Sequence, residues 1–174
     1  MSRPSSEDVR ADRRIQAKTI AVGSDDAGFR LKEEVKKYLE AEGHAVKDYG
    51  CDSPEPVDYP DVALLVANAV ARGDHDRAIL VCGTGIGMAI TANKVPGVYA
   101  TVAHDPYSAA KARTSNNTQV LALGARVVAP ELATTLVGIW LQAEFAGGAS
   151  ARKVGKIAQA EQALDRKPRT ARSK

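Results

Sequence analysis

Ala78-Ile79-Leu80-Val81-Cys82-Gly83-Thr84-Gly85-Ile86-Gly87 is an apolar run that empties into a thiol and three closely spaced glycines. The run predicts a core strand, and the residues after it predict a loop in which backbone approaches a ligand without interference from Cβ atoms. A helix opening at Ile86 and running to Lys94 would point unpaired N–H groups into that loop, making it an anion site. A thiol so placed tends toward a lowered pKa, because partial positive charge favours the thiolate. Cys82 is therefore the first catalytic candidate. The competing structural reading is a tight turn with Cys82 as a small buried hydrophobe.

Outward from this stretch, short β-like runs alternate with longer helical patterns. Thr19–Val22, Ala45–Tyr49, Ala78–Val81, Val98–Val102 and Val120–Leu123 read as strands. Leu31, Val35, Tyr38 and Leu39 recur at helical spacing, and further helices are expected over Asp61–Ala71, Ile86–Lys94 and Pro106–Thr114 and around Leu132, Leu136, Trp140 and Ala143. This βαβ rhythm predicts an α/β fold, a Rossmann-like three-layer sandwich around a five-stranded parallel sheet. Right-handed crossovers put every strand-to-helix loop at the carboxyl edge of such a sheet, where ligands bind.

The chain has 174 residues, 44% of them hydrophobic, which suits one compact domain. Residues 1–17 and 166–174 read as flexible extensions around a domain spanning 18–165. Arg166–Lys174 holds five basic and no acidic side chains, so the rest of the chain carries a net −2 against the whole chain's +3. The basic tail reads as solvated, and with only 5% aromatic residues for stacking no nucleic-acid role is expected. No apolar stretch approaches the roughly 20 residues that span a bilayer, and Met1–Lys18 has no signal-peptide core, so a cytoplasmic protein without a membrane partner is expected. Cys51 and Cys82 form no disulfide framework, and no metal-ligand spacing surrounds them, so neither metal nor cofactor is expected.

The glycine loop is neither a dinucleotide fingerprint, whose third glycine comes one residue later, nor a Walker A loop, since no Gly-Lys-Ser/Thr follows. A Cys-His hydrolase is one alternative, with His104 as partner and Asp105 or Asp25 orienting it. His44 and His75 lie in polar turns and read as solvated. Asp25 and Asp26 follow the first strand and either cap the helix near Gly28 or hold a substrate hydroxyl, an ionised carboxylate being an acceptor only. Arg113, Arg126, Arg152 and Lys153 are candidate phosphate ligands or solvated surface cations.

Five motifs in fixed order carry a resemblance: Gly23-Ser24-Asp25-Asp26-Ala27-Gly28, Val57-Asp58-Tyr59-Pro60, Cys82-Gly83-Thr84-Gly85-Ile86-Gly87-Met88, Ala92-Asn93-Lys94-Val95-Pro96-Gly97 and Ser115-Asn116-Asn117. Over about Lys18–Glu161 the chain closely resembles ribose-5-phosphate isomerase B and the related galactose-6-phosphate isomerase. The resemblance implies a homodimer with its active site at the subunit interface, and metal-free aldose–ketose isomerisation of a phosphosugar, foremost ribose 5-phosphate to ribulose 5-phosphate. By the same resemblance Cys82 is the base that moves a proton through an enediolate. Gly83, Gly85, Ile86 and Gly87 belong to the cradle for its negative charge, and Thr84 supplies a hydroxyl that moves or orients the proton. Asn116 contacts the substrate, Asp25 holds sugar hydroxyls, and Arg126 and Lys153 reach the phosphate, in part across the dimer.

Three departures from the family pattern bear on the substrate. Asp26 stands where the pattern has histidine, beside the expected phosphosugar. Ser115 stands at the position of the histidine that opens the sugar ring. Gly147-Gly148-Ala149-Ser150 lacks a phosphate arginine, and Lys153 replaces another as a point charge rather than a fork. His104 could take over ring opening. Alternatively the substrate is a tetrose 4-phosphate such as erythrulose 4-phosphate, which has no ring to open because the phosphate occupies the oxygen a furanose would need. A non-catalytic sugar-phosphate-binding protein is the further alternative.

Overall fold

The structure is a computed structural model and describes residues 18–165. The two expected extensions, 1–17 and 166–174, lie outside the described residues. Five strands, β1 (Thr19–Ser24), β2 (Ala45–Asp48), β3 (Arg77–Cys82), β4 (Ala100–Val102) and β5 (Val120–Gly124), alternate with helices. The helices are α1 (Phe29–Ala41), α2 (Tyr59–Ala71), α3 (Ile86–Ala92), α4 (Pro106–Thr114), α5 (Pro130–Gln142) and α6 (Gly148–Asp165). All strand pairs are parallel and the order is β2-β1-β3-β5-β4, which confirms the predicted α/β sheet. Strand and helix ends differ from the sequence reading by one or two residues, as fraying ends do.

Every residue of β3 and β5 is buried, because helices cover both faces of the sheet and leave no solvent side for polar residues. Side chains alternate between faces, so Ile79 and Val81 meet Leu31, Val35 and Leu39 of α1 and Leu136, Val137 and Trp140 of α5. Ala78, Leu80 and Cys82 point the other way, among Val62, Val66 and Val70 of α2 and Met88 and Ala92 of α3. The indole of Trp140 keeps its one polar atom satisfied at full burial by donating from Nε1 to Thr118 Oγ1 at 3.1 Å.

Strand register decides what meets at the carboxyl edge. Ser24 lies opposite Val81, and Cys82 opposite Gly124. The loops after β1, β3 and β5 therefore leave the sheet side by side, with those after β1 and β5 each pressed against the end of β3 or the loop that follows it. A Cβ on Gly124 would stand 2.8 Å from Thr84 Cα, and one on Gly28 would press into the backbone of Val81 and Cys82.

α6 has no counterpart in the hydrophobic periodicity. Its residues, GASARKVGKIAQAEQALD, carry no continuous apolar stripe; the helix is built instead from strong helix formers, alanine, lysine, glutamine and glutamate. It starts at Gly148, which like Gly147 before it has positive φ, and is tied to the body where Glu161 Oε2 accepts the Gly97 N–H at 3.0 Å.

Gly28→Ala should destabilise the fold by about 1–3 kcal/mol, because the atoms it would strike are backbone and cannot rotate aside. Chemical denaturation of the wild type and the variant measures this.

Candidate active site

The cleft at the carboxyl edge, about 580 Å³, is lined by Asp25, Asp26 and Ala27 after β1, by Cys82, Gly83, Thr84, Ile86, Gly87 and Ile90 after β3, by Arg126 after β5, and by Tyr59 of α2. Eight sequence candidates thus share one space: Asp25, Asp26, Cys82, Gly83, Thr84, Ile86, Gly87 and Arg126.

Cys82 is 5% exposed, and its Sγ accepts the Gly85 N–H at 3.1 Å. Gly85, at φ 78, is the turn residue that folds this N–H back onto the sulfur, a backbone shape costly for any other residue. Thr84 Oγ1 accepts the Ile86 N–H at 3.4 Å. The β5 loop buttresses this turn: Ala125 N–H donates to Cys82 O at 2.8 Å and Arg126 N–H to Gly83 O at 3.1 Å. The Arg126 side chain runs over Gly83, where a Cβ would lie 3.6 Å from its Nε.

Asp25 does not cap α1, whose N-cap is Gly28 with no side-chain bond to the helix N–H groups. Its Oδ1 instead accepts the N–H of Gly28 itself at 2.9 Å, closing the loop after β1, and the residue lines the cleft. Burial raises its pKa above the ordinary 3.8, the neighbouring Asp26 charge adds to this, and the Gly28 and Ala27 N–H groups and the Arg126 charge oppose it. Asp26 also lines the cleft, and its Oδ1 accepts the Val57 N–H at 3.5 Å.

Three candidates lie elsewhere. His104 follows β4, and its Nε2 accepts the Gly124 N–H at 2.9 Å. A ring nitrogen that accepts from an amide carries no proton, so the imidazole is neutral with its hydrogen on Nδ1. Burial lowers its pKa below the ordinary 6.5, only partly offset by Asp105. His104 thus fastens the ends of β4 and β5 together and is not among the residues lining the Cys82 cleft. Asn116 lines a different cleft, about 440 Å³, with Asn93, Thr101, Ser108, Lys111 and Ile157 among its walls. Lys153 sits one turn before Ile157 on the same side of α6.

Of the other two histidines, read as solvated, one is buried and the other half-buried. His44 is buried, accepting the Lys18 N–H on Nδ1 at 3.2 Å, and His75 Nε2 lies 2.9 Å from Tyr49 Oη. Cys51 is buried, its Sγ 3.6 Å from Ser24 Oγ. Arg113 pairs with Asn117 and Glu144 away from the cleft, and Arg152 is exposed on α6. Sequence reasoning gave Tyr59 and Ile90 no role, yet both wall the cleft. A Cβ on Gly87 would stand 2.6 Å from the Tyr59 ring, so the glycine there was the available signal that something large packs against it. Among the described residues no group of three or more His, Cys, Asp or Glu side chains gathers as a metal site, and no helix is long and apolar enough to cross a membrane.

A buried thiol held by a glycine turn, with a carboxylate and an arginine on the same cleft, suits the proton transfers of an isomerase acting on an anionic sugar. Residues 20–157 match the model of the Ribose/Galactose Isomerase family, and the chain belongs to that family. It is 55% identical over 141 residues to the D-erythrulose-4-phosphate isomerase of Pectobacterium atrosepticum, covering 80% of this chain and 92% of that one. It is 48% identical to the Ribose-5-phosphate isomerase B of Escherichia coli, over 83% of this chain and 97% of that one. The solved Ribose-5-Phosphate Isomerase B of Clostridium thermocellum superposes with a TM-score of 0.83 at 47% identity, covering 84% of this chain and 99% of its own. The protein is thus an aldose–ketose isomerase of the sugar-phosphate class.

His104 and His44 both have pKa values lowered by burial, so as pH falls through 6.5 the unfolded chain takes up protons before the folded one. Their contribution to stability is complete above 6.5 and is lost as pH falls toward their folded-state values. The melting temperature should decline over this range, and His104→Gln, whose amide oxygen can still accept from Gly124, should flatten the decline. Melting curves at a series of pH values check this.

Proposed function

We propose that this enzyme interconverts the aldose and ketose forms of a tetrose 4-phosphate, with Cys82 as the base. One observation carries the choice of substrate. His104 is held by the Gly124 N–H on Nε2 and lies outside the lining of the Cys82 cleft, and the family's ring-opening position holds Ser115. Among the described residues no histidine of the same chain lines the Cys82 cleft, whereas a cyclic pentose phosphate calls for a ring-opening acid. A tetrose 4-phosphate has no furanose to open. The 55% identical Pectobacterium relative, named for erythrulose 4-phosphate, supports the same reading.

In the proposed reaction the Cys82 thiolate takes the proton from the carbon beside the carbonyl and returns it to the neighbouring carbon. Between the two steps the substrate is an enediolate, whose charge is met by N–H groups of the Gly83–Gly87 turn. The hydroxyl proton moves in the same sense, from the oxygen on the carbon that loses its hydrogen to the former carbonyl oxygen, with Thr84 at hand as donor and acceptor. The Gly85 N–H on Sγ holds the sulfur in place while it carries charge, since hydrogen bonds to ionised groups are the strong ones. Asp25 accepts substrate hydroxyls on the oxygen that does not serve Gly28, and Arg126 faces the phosphate.

The second half of the site comes from a second copy of the chain in a cytoplasmic homodimer. Asn116 lines another cleft than Cys82 does and Lys153 lines neither, so they serve the Cys82 cleft only if chains are paired. Exposed apolar side chains beside both clefts, Ile86 and Ile90 on α3 and Ile157 on α6, favour such a pairing. Ribose 5-phosphate is the alternative substrate, favoured by the names of the Escherichia and Clostridium relatives. It requires ring opening by solvent.

Purified protein should turn over erythrulose 4-phosphate with a kcat/KM at least about tenfold above that for ribose 5-phosphate, a difference of roughly 1.4 kcal/mol in transition-state binding. Preference for the pentose overturns the substrate assignment. Cys82→Ser should cost about 100- to 10,000-fold in kcat, the usual share of a general base, and full activity would remove Cys82 from the mechanism. Mixing the inactive Cys82→Ala protein with a weakened Lys153→Ala protein should restore activity, because the hybrid dimer contains one intact site. If the mixture stays at the sum of its parts, the site is built within one chain.

A further inference from the structure

Lys32, in the first turn of α1, is 1% exposed and takes no part in the chemistry described above. Its Nζ donates to Asp48 Oδ1 at 2.9 Å, Asp48 Oδ2 at 2.8 Å and Cys51 O at 2.7 Å, and the Glu33 carboxylate stands 3.1 Å away. Asp48 also accepts the Gly50 N–H at 3.0 Å and Lys36 Nζ at 3.1 Å. Burial pushes the Asp48 carboxyl up, but these bonds outweigh it and hold the group below the usual carboxylate range. Stability alone is a weak reason for such an arrangement, because a buried ion pair can often be replaced by apolar side chains at little cost.

Its geometric effect is specific. β2 ends at Asp48, yet strand-like pairing with β1 continues past it: Tyr49 N–H donates to Val22 O at 2.9 Å, Ser24 N–H to Gly50 O at 2.7 Å and Cys51 N–H to Ser24 O at 2.7 Å. Both main-chain groups of Ser24, the residue before Asp25, are thus held by the Gly50–Cys51 turn that Lys32 grips. From the other side the Lys32 N–H donates to Gly28 O at 2.9 Å, and Gly28 N–H donates to Asp25 Oδ1. The bonds close a ring through Asp25, Gly28, Lys32, Cys51 and Ser24. We infer that Lys32 is a positioning residue for Asp25, clamping the Gly50–Cys51 turn against the start of the loop so that the carboxylate meets the substrate at a fixed place.

This inference rests on the role of Asp25 in the proposed reaction, and a double-mutant cycle tests the two separately. Lys32→Met, Asp25→Asn and the double variant are compared for kcat and KM on the sugar phosphate and for melting temperature. Lys36→Met, which pairs with the same Asp48 without reaching Cys51, is the control. Lys32→Met should lower kcat/KM about 10- to 100-fold, the scale on which small misplacement acts, and Lys36→Met less than about twofold. In the Asp25→Asn background Lys32→Met should cost less than about twofold more, because a residue acting through Asp25 has nothing left to position. If Lys32→Met lowers the activity of Asp25→Asn by the same factor as that of the wild type, its role is general support of the fold and the inference is overturned. A fully active Asp25→Asn removes the assigned role of Asp25, and the inference with it, whatever Lys32→Met does. Should Lys32→Met fail to fold, Lys32→Met/Asp48→Asn takes its place in the cycle, removing both charges while keeping an acceptor for Gly50.

Discussion

The pairing of β3 with β1 on one side and β5 on the other is the constraint from which the site follows. With Ser24 opposite Val81 and Cys82 opposite Gly124, three loops leave the sheet at the same height. They are then locked by backbone bonds: Asp25 N–H to Val81 O, Ala125 N–H to Cys82 O and Arg126 N–H to Gly83 O. Carboxylate, thiol and guanidinium come from segments far apart in sequence, and the shared strand edge brings them to one cleft. The absence of Cβ atoms at Gly28 and Gly124 is what lets the loops approach this closely.

Much of this was legible in the sequence where local composition and global fold agree. The run into Cys82 had to be a buried strand, because only a strand covered on both faces tolerates unbroken apolar residues. The topology then placed the following glycines at the functional edge. What stayed hidden depends on partners distant in the chain. Lys32, between Leu31 and Glu33, carries no local sign of burial, which follows from Asp48 and Cys51. His104 reads as a catalytic candidate until Gly124 claims its nitrogen, and His44 reads as a turn residue until Lys18 closes over it. α6 escaped because periodicity reports burial, and a largely exposed helix has little to report.

Within this family frame, the departures gather around the substrate's ring and its phosphate rather than around the carbon acid. Cys82, its glycine turn and Thr84 lie together, whereas the histidine positions have become Asp26 and Ser115. Proton transfer beside a carbonyl is common to every aldose–ketose pair. Ring opening is needed only by sugars that cyclise. A chain that keeps the first set retains the chemistry common to the whole series, and the lack of the second is the ground on which a shorter, acyclic substrate is proposed.

The alternation of side chains along β3 has a consequence for how this sequence can change. Cys82 reaches the α2 and α3 side because an odd number of steps separates it from Ile79, which faces α1 and α5. Gaining or losing one residue between Arg77 and Cys82 would turn the thiol toward the opposite layer and carry its glycines away from Gly124. The loop from Asp52 to Asp58 bears no such parity. Length variation can accumulate there while the spacing from Arg77 to Gly87 stays invariant.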